Sequence, residues 1–469
     1  MAQKFNKELR GVDTIPDQER NSSPNTLISI FVGANLSLSV MVFGWLSILY
    51  GLSWWESVSA ILVGTFFGAL FVARSSLLGW RAATNNSVAS GAYFGVRGRL
   101  IASVVGLLLC LQYVALTIWT GGEMFAGGWA RLLNTEISNY LLGLGYLIIS
   151  ILVVVIAIFG FSLIVKVNKV IVPAMLFLLI ISIISFLPEF DLNYAGDASN
   201  YALGSFWPTW LLAALTCGAA GPISYVTQTG DWTRYINSQV SSREVISKTF
   251  IALMAGLTIP TLFGAFIAVA SFDEESFSVG YVAGAKTWLL IPLLLISIIG
   301  SLGQGAINLY SMGLDLDAIF PRLTRSQSTI LVAVIAFGLV FLGKFAYDAE
   351  SAVTNSVLFL TVLASSWMAI TLYSFIKTRG AFDQNSLQIF NTRRTGGLYW
   401  FKGGWNFRVI ASWMIGSLTG ILGVSSIDYV GPISHIFNDI DVSIPLAVIN
   451  SLLALQLFGG AKSLKEARP

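Results

Sequence analysis

Long apolar runs alternate with short polar interruptions from residue 27 to residue 460. A helix needs about 20 apolar residues to cross a hydrocarbon core of about 30 Å. Runs of that length occur at 27–50, 56–78, 101–124, 139–165, 169–188, 206–229, 247–272, 285–312, 328–347, 351–376, 405–426 and 441–460. The pattern predicts an all-α integral membrane protein of about twelve transmembrane helices, spans 1 to 12. Basic residues test this spacing, because Lys and Arg accumulate in cytoplasmic loops. With the N-terminus inside and the spans alternating, 24 of the 27 Lys and Arg fall on the inner side. They include Arg97 and Arg99 before span 3, Lys166 and Lys169 between spans 4 and 5, and Arg393 and Arg394 in the 379–404 loop. Only Arg131, Lys286 and Lys344 fall outside. A span missed or added would scramble the asymmetry from that point on. The expectation is a multi-pass protein of the plasma (inner) membrane with both termini cytoplasmic. The outer loops are acidic, with Glu189, Asp191, Asp197, Asp273, Glu274 and Glu275.

Composition agrees. Of 469 residues, 55% are hydrophobic and 11% charged, against about 25% charged in soluble domains. A single histidine, His435, leaves little room for metal or acid–base catalysis, so neither an enzyme nor a cofactor is expected. Cys110 and Cys217 lie in apolar runs and read as buried thiols. The net charge of +3, without a long basic run, gives no sign of a nucleic-acid partner. The expected partners are the bilayer and a small molecule. The oligomeric state stays open, and a monomer is compatible with the pattern. Residues 1–24 are polar and lack the apolar core of a signal peptide, so they read as a cytoplasmic tail.

Transporters coordinate polar solutes near the bilayer midplane, often at two discontinuous helices occupying matching places in inverted repeats. Span 1 carries Asn35, Ser37 and Ser39 near its middle, and such side chains compete for backbone hydrogen bonds. Span 6 carries Gly218-Ala219-Ala220-Gly221-Pro222, followed by Ser224 and Tyr225. Proline lacks the amide donor and clashes with the preceding turn. Spans five apart cross in opposite directions, so the two breaks imply inverted repeats over 25–200 (spans 1–5) and 201–378 (spans 6–10). The 379–404 loop, spans 11 and 12 within 405–461, and a tail at 462–469 would follow. Each break alone has an ordinary explanation in helix packing, which favours small residues. Span 8 adds Gln304 and Asn308, which share a face at i, i+4. Carboxamides offer donors and acceptors together, which suits a flat heterocycle and equally an interhelical bond. Span 3 offers Tyr113 and Thr117 at the same spacing.

Several short stretches resemble one family, in order along the chain. Gly11 to Arg20, with Ile15-Pro16 before Glu19-Arg20, resembles its lead-in, and Ala34-Asn35-Leu36-Ser37 resembles its "A-N-x-S". Ser90 to Gly98, with Tyr93-Phe94-Gly95, is similar to its loop after span 2. Gly221-Pro222-Ile223-Ser224-Tyr225 with Asp231-Trp232-Thr233-Arg234-Tyr235 resembles "P-x-S-W … D-Y-T-R-Y". Asn308-Leu309-Tyr310-Ser311-Met312-Gly313-Leu314 resembles "N-x-Y-S-x-G-L". The family is the nucleobase:cation symporter-1 family, in its purine–cytosine permease branch. The resemblance implies a LeuT-like fold of five-plus-five inverted repeats with two extra helices. It also implies a heterocycle site between spans 1, 3, 6 and 8. In that family a span-3 Trp stacks on the base, with Asn or Gln one turn later; here those positions are Tyr113 and Thr117. The span-6 aromatic matches Tyr225, and the span-8 Asn matches Asn308. The departures in span 3 put the base itself in question and admit a related vitamin precursor or pyrimidine derivative.

The candidate substrate-binding residues are therefore Ser37, Ser39, Tyr113, Thr117, Gly221, Pro222, Ser224, Tyr225, Gln304 and Asn308. Sodium-coupled members of the family carry span-8 hydroxyls five and six residues before the Asn. Those positions here are Gly303 and Leu302, which offer only backbone oxygens. A cation site from Ala34, Ser37, Ile299, Leu302 and Gly303 would be poor in ligands, so the coupling ion is read as H+ in preference to Na+. No carboxylate sits at a span centre. Glu123, Asp231 and Asp315 lie toward ends, and Asp231 with Arg234 reads as an end-of-helix ion pair, so the proton carrier stays unidentified. The functional expectation is secondary active import of a neutral heterocycle by cation symport and alternating access. The alternatives are a carrier of hydantoin, allantoin, amino acids or amines on the same fold. A channel or a membrane sensor would require a repeated polar pore stripe or a soluble output domain, neither of which the sequence shows.

Overall fold

A computed structural model describes residues 10–271, 276–347 and 350–460. The acidic stretch Asp273 to Glu275, residues 1–9 of the tail and the tail at 462–469 lie outside these. The described residues are helical, with no strand beyond isolated bridges. Among the described residues nine helices are long and apolar enough to cross a membrane, and a bent pair, Asn25–Asn35 with Leu38–Leu49, makes a tenth candidate span. Segments 11 and 12 are the 15-residue helices Phe407–Ile421 and Ser443–Leu457. At 1.5 Å per residue each is about 22 Å long, short of the hydrocarbon thickness. Ten of the expected twelve spans thus have a full-length counterpart among the described residues, and the last two correspond to these shorter apolar helices.

Helix ends follow local chemistry. Span 2 (Trp54–Ala82) starts at a capping box: Glu56 N–H donates to Ser53 Oγ at 3.3 Å, and Ser53 N–H donates to Glu56 Oε2 at 2.8 Å. Spans 4 and 5 (Asn139–Phe159 and Phe161–Phe186) meet at the single residue Gly160, whose φ of 80° only glycine adopts readily. The boundary expected near 166–168 thus moves to 160. Lys166 and Lys169 lie in the opening turns of span 5, both exposed, because one left-handed glycine replaces a polar loop.

Span 3 (Leu100–Leu133) and span 8 (Leu290–Ile319) form the most extensive helix pair. Span 7 (Ser242–Ala270) packs along spans 1 and 2, and span 6 lies against span 2. The two halves of span 1 therefore sit between span 7 on one side and spans 3, 5 and 8 on the other. The three basic residues that escaped the inner-side pattern are all engaged. Lys344 Nζ lies 2.6 Å from Glu123 Oε1, Lys286 lies 3.8 Å from Glu189, and Arg131 donates to the carbonyls of Val282, Ala283 and Ala285. Cys110 and Cys217 are buried and free.

Candidate functional site

Span 1 opens at Leu36 and Ser37, where its halves bend by 63°. Ser37 is extended (φ −131°, ψ 153°), and its N–H turns back to Asn35 O at 2.7 Å. Its carbonyl accepts from Val40 and Met41, each at 3.2 Å. The carbonyls of Gly33 and Ala34 thereby lose the i+4 donors of a continuous helix. Span 8 comes closest here: a Cβ on Gly303 would stand 2.2 Å from Gly33 O, so only glycine permits the contact. Gly300 faces Leu36 O. Of the five expected cation-site residues, Ala34 and Gly303 meet at this crossing, Ser37 lies just beyond it, and Ile299 and Leu302 are half-buried. The nearby hydroxyl, Ser301 Oγ, donates to Ser297 O at 2.6 Å and toward Thr117 O at 3.4 Å, so it is turned to its own helix and span 3.

Span 6 opens differently. Phe206–Ala213 widens into a π-helical turn at Ala214–Ala219, tightens over Ala220–Ser224, and loosens into turns at 225–228 before Thr229–Thr233. The Gly-Ala-Ala-Gly-Pro stretch was expected to break the helix where it stands; the chain opens after Ser224 instead. Pro222 frees the carbonyl of Gly218, four residues back, and Thr65 Oγ1 of span 2 approaches it at 3.4 Å. The wide turn and this outside donor absorb the missing amide. Gly221 packs on Leu257 and Pro222 on Gly68, so both face spans 7 and 2 rather than span 3.

The opening places Tyr225 at the centre of a polar junction. Its hydroxyl lies 2.9 Å from Asn35 Oδ1 and 3.0 Å from Gln304 Oε1, joining spans 6, 1 and 8. One hydroxyl hydrogen cannot serve two acceptors fully. Asn35 Nδ2 donates to Phe31 O at 2.8 Å, and Asn308 Nδ2 donates to Gln304 O at 3.0 Å. The Tyr225 ring meets Phe31 edge-on at 5.2 Å and Trp232 at 5.8 Å. A second chain of hydroxyls runs from Ser37 to Ser39 (3.0 Å) and on to Thr117 (2.9 Å), whose Oγ1 also donates to Tyr113 O at 2.6 Å. The Tyr113 hydroxyl interacts with Ser224, and its ring lies 6.1 Å from Phe43. The structure thus gathers Ser37, Ser39, Tyr113, Thr117, Ser224, Tyr225, Gln304 and Asn308, all buried.

Three groups had gone unassigned in the sequence. Asn35 stood out only as a helix weakener, yet it shares Tyr225 with Gln304; its place in "A-N-x-S" was the available signal. Phe31 and Trp232 complete the aromatic wall; Phe31 carried no signal, and Trp232 only its place in the stretch Asp231 to Tyr235. Asp315, read as an end-of-span residue, is 3% exposed. Its Oδ1 accepts from Ser87 Oγ at 3.0 Å, and the carboxylate lies against Gly106 beside Thr227. Among the described residues no group of three or more His, Cys, Asp or Glu is placed to hold a metal ion.

The profile of a family described as "Permease for cytosine/purines, uracil, thiamine, allantoin" matches residues 14–444. The chain belongs to this family. It is a membrane permease, not an enzyme. The putative purine-cytosine permease YxlA of Bacillus subtilis is 23% identical over 458 residues, 93% of this chain and 92% of that protein. The purine-cytosine permease FCY2 of Saccharomyces cerevisiae is 23% identical over 366 residues, 68% of this chain and 62% of that one. Among solved structures, Mhp1, a nucleobase-cation-symport-1 family transporter in a closed conformation with bromovinylhydantoin bound, superposes with a TM-score of 0.73 at 19% identity, covering 96% of this chain and 95% of that one. Inward-facing Mhp1 gives 0.69 over 99% of both chains. The permease therefore has the LeuT-like fold of Mhp1, and the family read from its short motifs is the family of the whole matched segment.

Proposed function

We propose that the permease imports a nucleobase, cytosine or a purine, or a closely related neutral heterocycle, by proton symport and alternating access. It does so from the plasma (inner) membrane with both termini cytoplasmic, and one chain suffices for one site. The observation that carries this reading is the buried junction of Tyr225, Asn35 and Gln304. Carboxamides and a phenol at the openings of two discontinuous helices supply neutral donors and acceptors beside an aromatic wall. They match the edge of an uncharged heterocycle and leave no fixed charge for a charged solute. Ser37, Ser39, Tyr113, Thr117, Ser224 and Asn308 complete the site. Gly221 and Pro222 shape the backbone behind it.

Proton coupling is favoured over sodium by the chemistry at the span 1–span 8 crossing. Ala34, Ser37, Ile299, Leu302 and Gly303 offer backbone oxygens there, and Ser301 is turned away. Sodium is bound by a shell of hard oxygens, so this set is poor. Asp315, buried beside Ser87, is the carboxylate we assign to the proton. The titratable groups that face it are Asp231 of span 6 and Cys110 of span 3. Uptake of radiolabelled cytosine, adenine or hypoxanthine into proteoliposomes is expected to saturate and to rise with an inward proton gradient, without a requirement for sodium. Asp315→Asn is expected to bind substrate within about threefold of the native protein but to lose gradient-driven accumulation. Sodium-driven uptake indifferent to pH would overturn the proton assignment. Mhp1 was solved with a hydantoin derivative bound, so hydantoins and allantoin belong in the competition series.

A further inference from the structure

At the end of the molecule that carries the N-terminal segment, three separate stretches enclose a cavity of about 410 Å³. Arg97 enters from the stretch before span 3, Arg322 from the link between spans 8 and 9, and Arg393 and Arg394 from the 379–404 loop. Phe390 and Trp400 line the same space. No carboxylate lines it, and none of the four arginines takes part in an ion pair among the described residues. A volume of that size corresponds to a sphere about 9 Å across, close to one Debye length at physiological salt, so the mutual repulsion of these four exposed arginines is partly screened and a bound anion would relieve what remains. Inner-face orientation accounts for arginines on this side of the protein. It does not account for four converging on one hollow without a counter-charge, whereas three other arginines of this end are engaged. Arg10 pairs with Glu19, Arg20 with Asp17, and Arg99 donates to Asn391 and the carbonyl of Ala318.

The loop holds its two arginines in place. Asp383 Oδ1 accepts from Asn385 and Ser386 N–H, Arg394 N–H donates to Ile389 O at 2.9 Å, and Arg393 is fixed at φ 57°, a conformation unusual outside glycine. The Arg97 guanidinium lies 5.3 Å from the centre of the Trp400 ring. Guanidinium forks match phosphate oxygens in geometry and charge, and the two rings give the hollow one apolar wall. We infer that this cavity is a binding site for a phosphate-bearing anion, separate from the transport site, which clasps the start of span 3, the span 8–9 link and the 379–404 loop together. The phosphate can come from the headgroup of an anionic phospholipid or from a soluble phosphate compound; the recognition chemistry is the same.

The test is thermal unfolding of the full-length protein purified in detergent. One arm titrates inorganic phosphate against chloride at matched ionic strength. The other titrates short-chain phosphatidylglycerol against phosphatidylcholine. A saturable rise in Tm in either arm is expected, and the responding arm identifies the source. Arg322→Gln and the double variant Arg393→Gln/Arg394→Gln are expected to weaken the apparent affinity at least tenfold, whereas Lys402→Gln, outside the cavity, leaves it unchanged. Arg322→Gln keeps the test decisive if the double variant fails to fold. Absence of any rise above the chloride and phosphatidylcholine controls would overturn the inference, as would an undiminished rise in Arg322→Gln.

Discussion

The two discontinuous helices reach similar ends by opposite means. Span 1 opens over two residues with no proline or glycine at the opening, because Asn35, Ser37 and Ser39 and the redirected amide of Ser37 take over the local hydrogen bonds. Span 6 is dense in glycine and proline, yet it stays helical through them and opens three residues beyond Pro222. A proline marks where a backbone donor is missing, and that loss can be met by a wider turn and a hydroxyl from a neighbouring helix. The chain opens where a freed backbone group finds a partner across the bundle, here the Val226 carbonyl accepting from Asn86 Nδ2 at 2.8 Å, and where the Tyr225 hydroxyl meets Asn35 and Gln304. Polar partners, rather than breaking residues, locate the site.

The largest effect is expected at Gly303→Ala. Its Cβ would drive into the Gly33 carbonyl at 2.2 Å, backbone against backbone. Overpacking of this kind costs about 1–3 kcal/mol or more, so a clear fall in Tm with loss of uptake is expected from thermal unfolding and proteoliposome transport. An unchanged Tm would mean that the opening of span 1 does not depend on span 8. Tyr225→Phe comes next. It removes the one donor that two buried carboxamide oxygens share, at about 1–3 kcal/mol, equivalent to roughly five- to 150-fold in affinity. Substrate dissociation measured on the purified protein should weaken within that range while the fold persists. Pro222→Ala is expected to do least. It restores an amide that can bond Gly218 O in place of Thr65, so Tm should shift by no more than a few degrees and uptake by less than threefold. A severe defect there would return the origin of the break to the proline itself.

Much of this was legible beforehand. Apolar run length gave spans 2 to 5 and 7 to 10 within several residues, since each is a long hydrophobic helix. Span 1 was located to its opening because Asn and Ser are conspicuous within an apolar run. The misplaced features share a cause: their geometry depends on partners remote in sequence. The end of span 4 turns on one glycine with positive φ. Asn35 and Tyr225 lie 190 residues apart, and Ser87 and Asp315 lie 228 apart, so neither pair leaves a local pattern. Segments 11 and 12 read as full spans because composition cannot separate a 15-residue helix from the apolar loops flanking it.

The central claim is that a neutral heterocycle is held where spans 1, 6 and 8 meet. Equilibrium binding of radiolabelled cytosine and adenine to the purified permease and to its Asn308→Ala variant tests it most directly. Saturable binding to the native protein, weakened at least tenfold in the variant with Tm within a few degrees of native, is the expected result. Binding that survives Asn308→Ala unchanged, or no saturable binding of any nucleobase, hydantoin or allantoin, would contradict it.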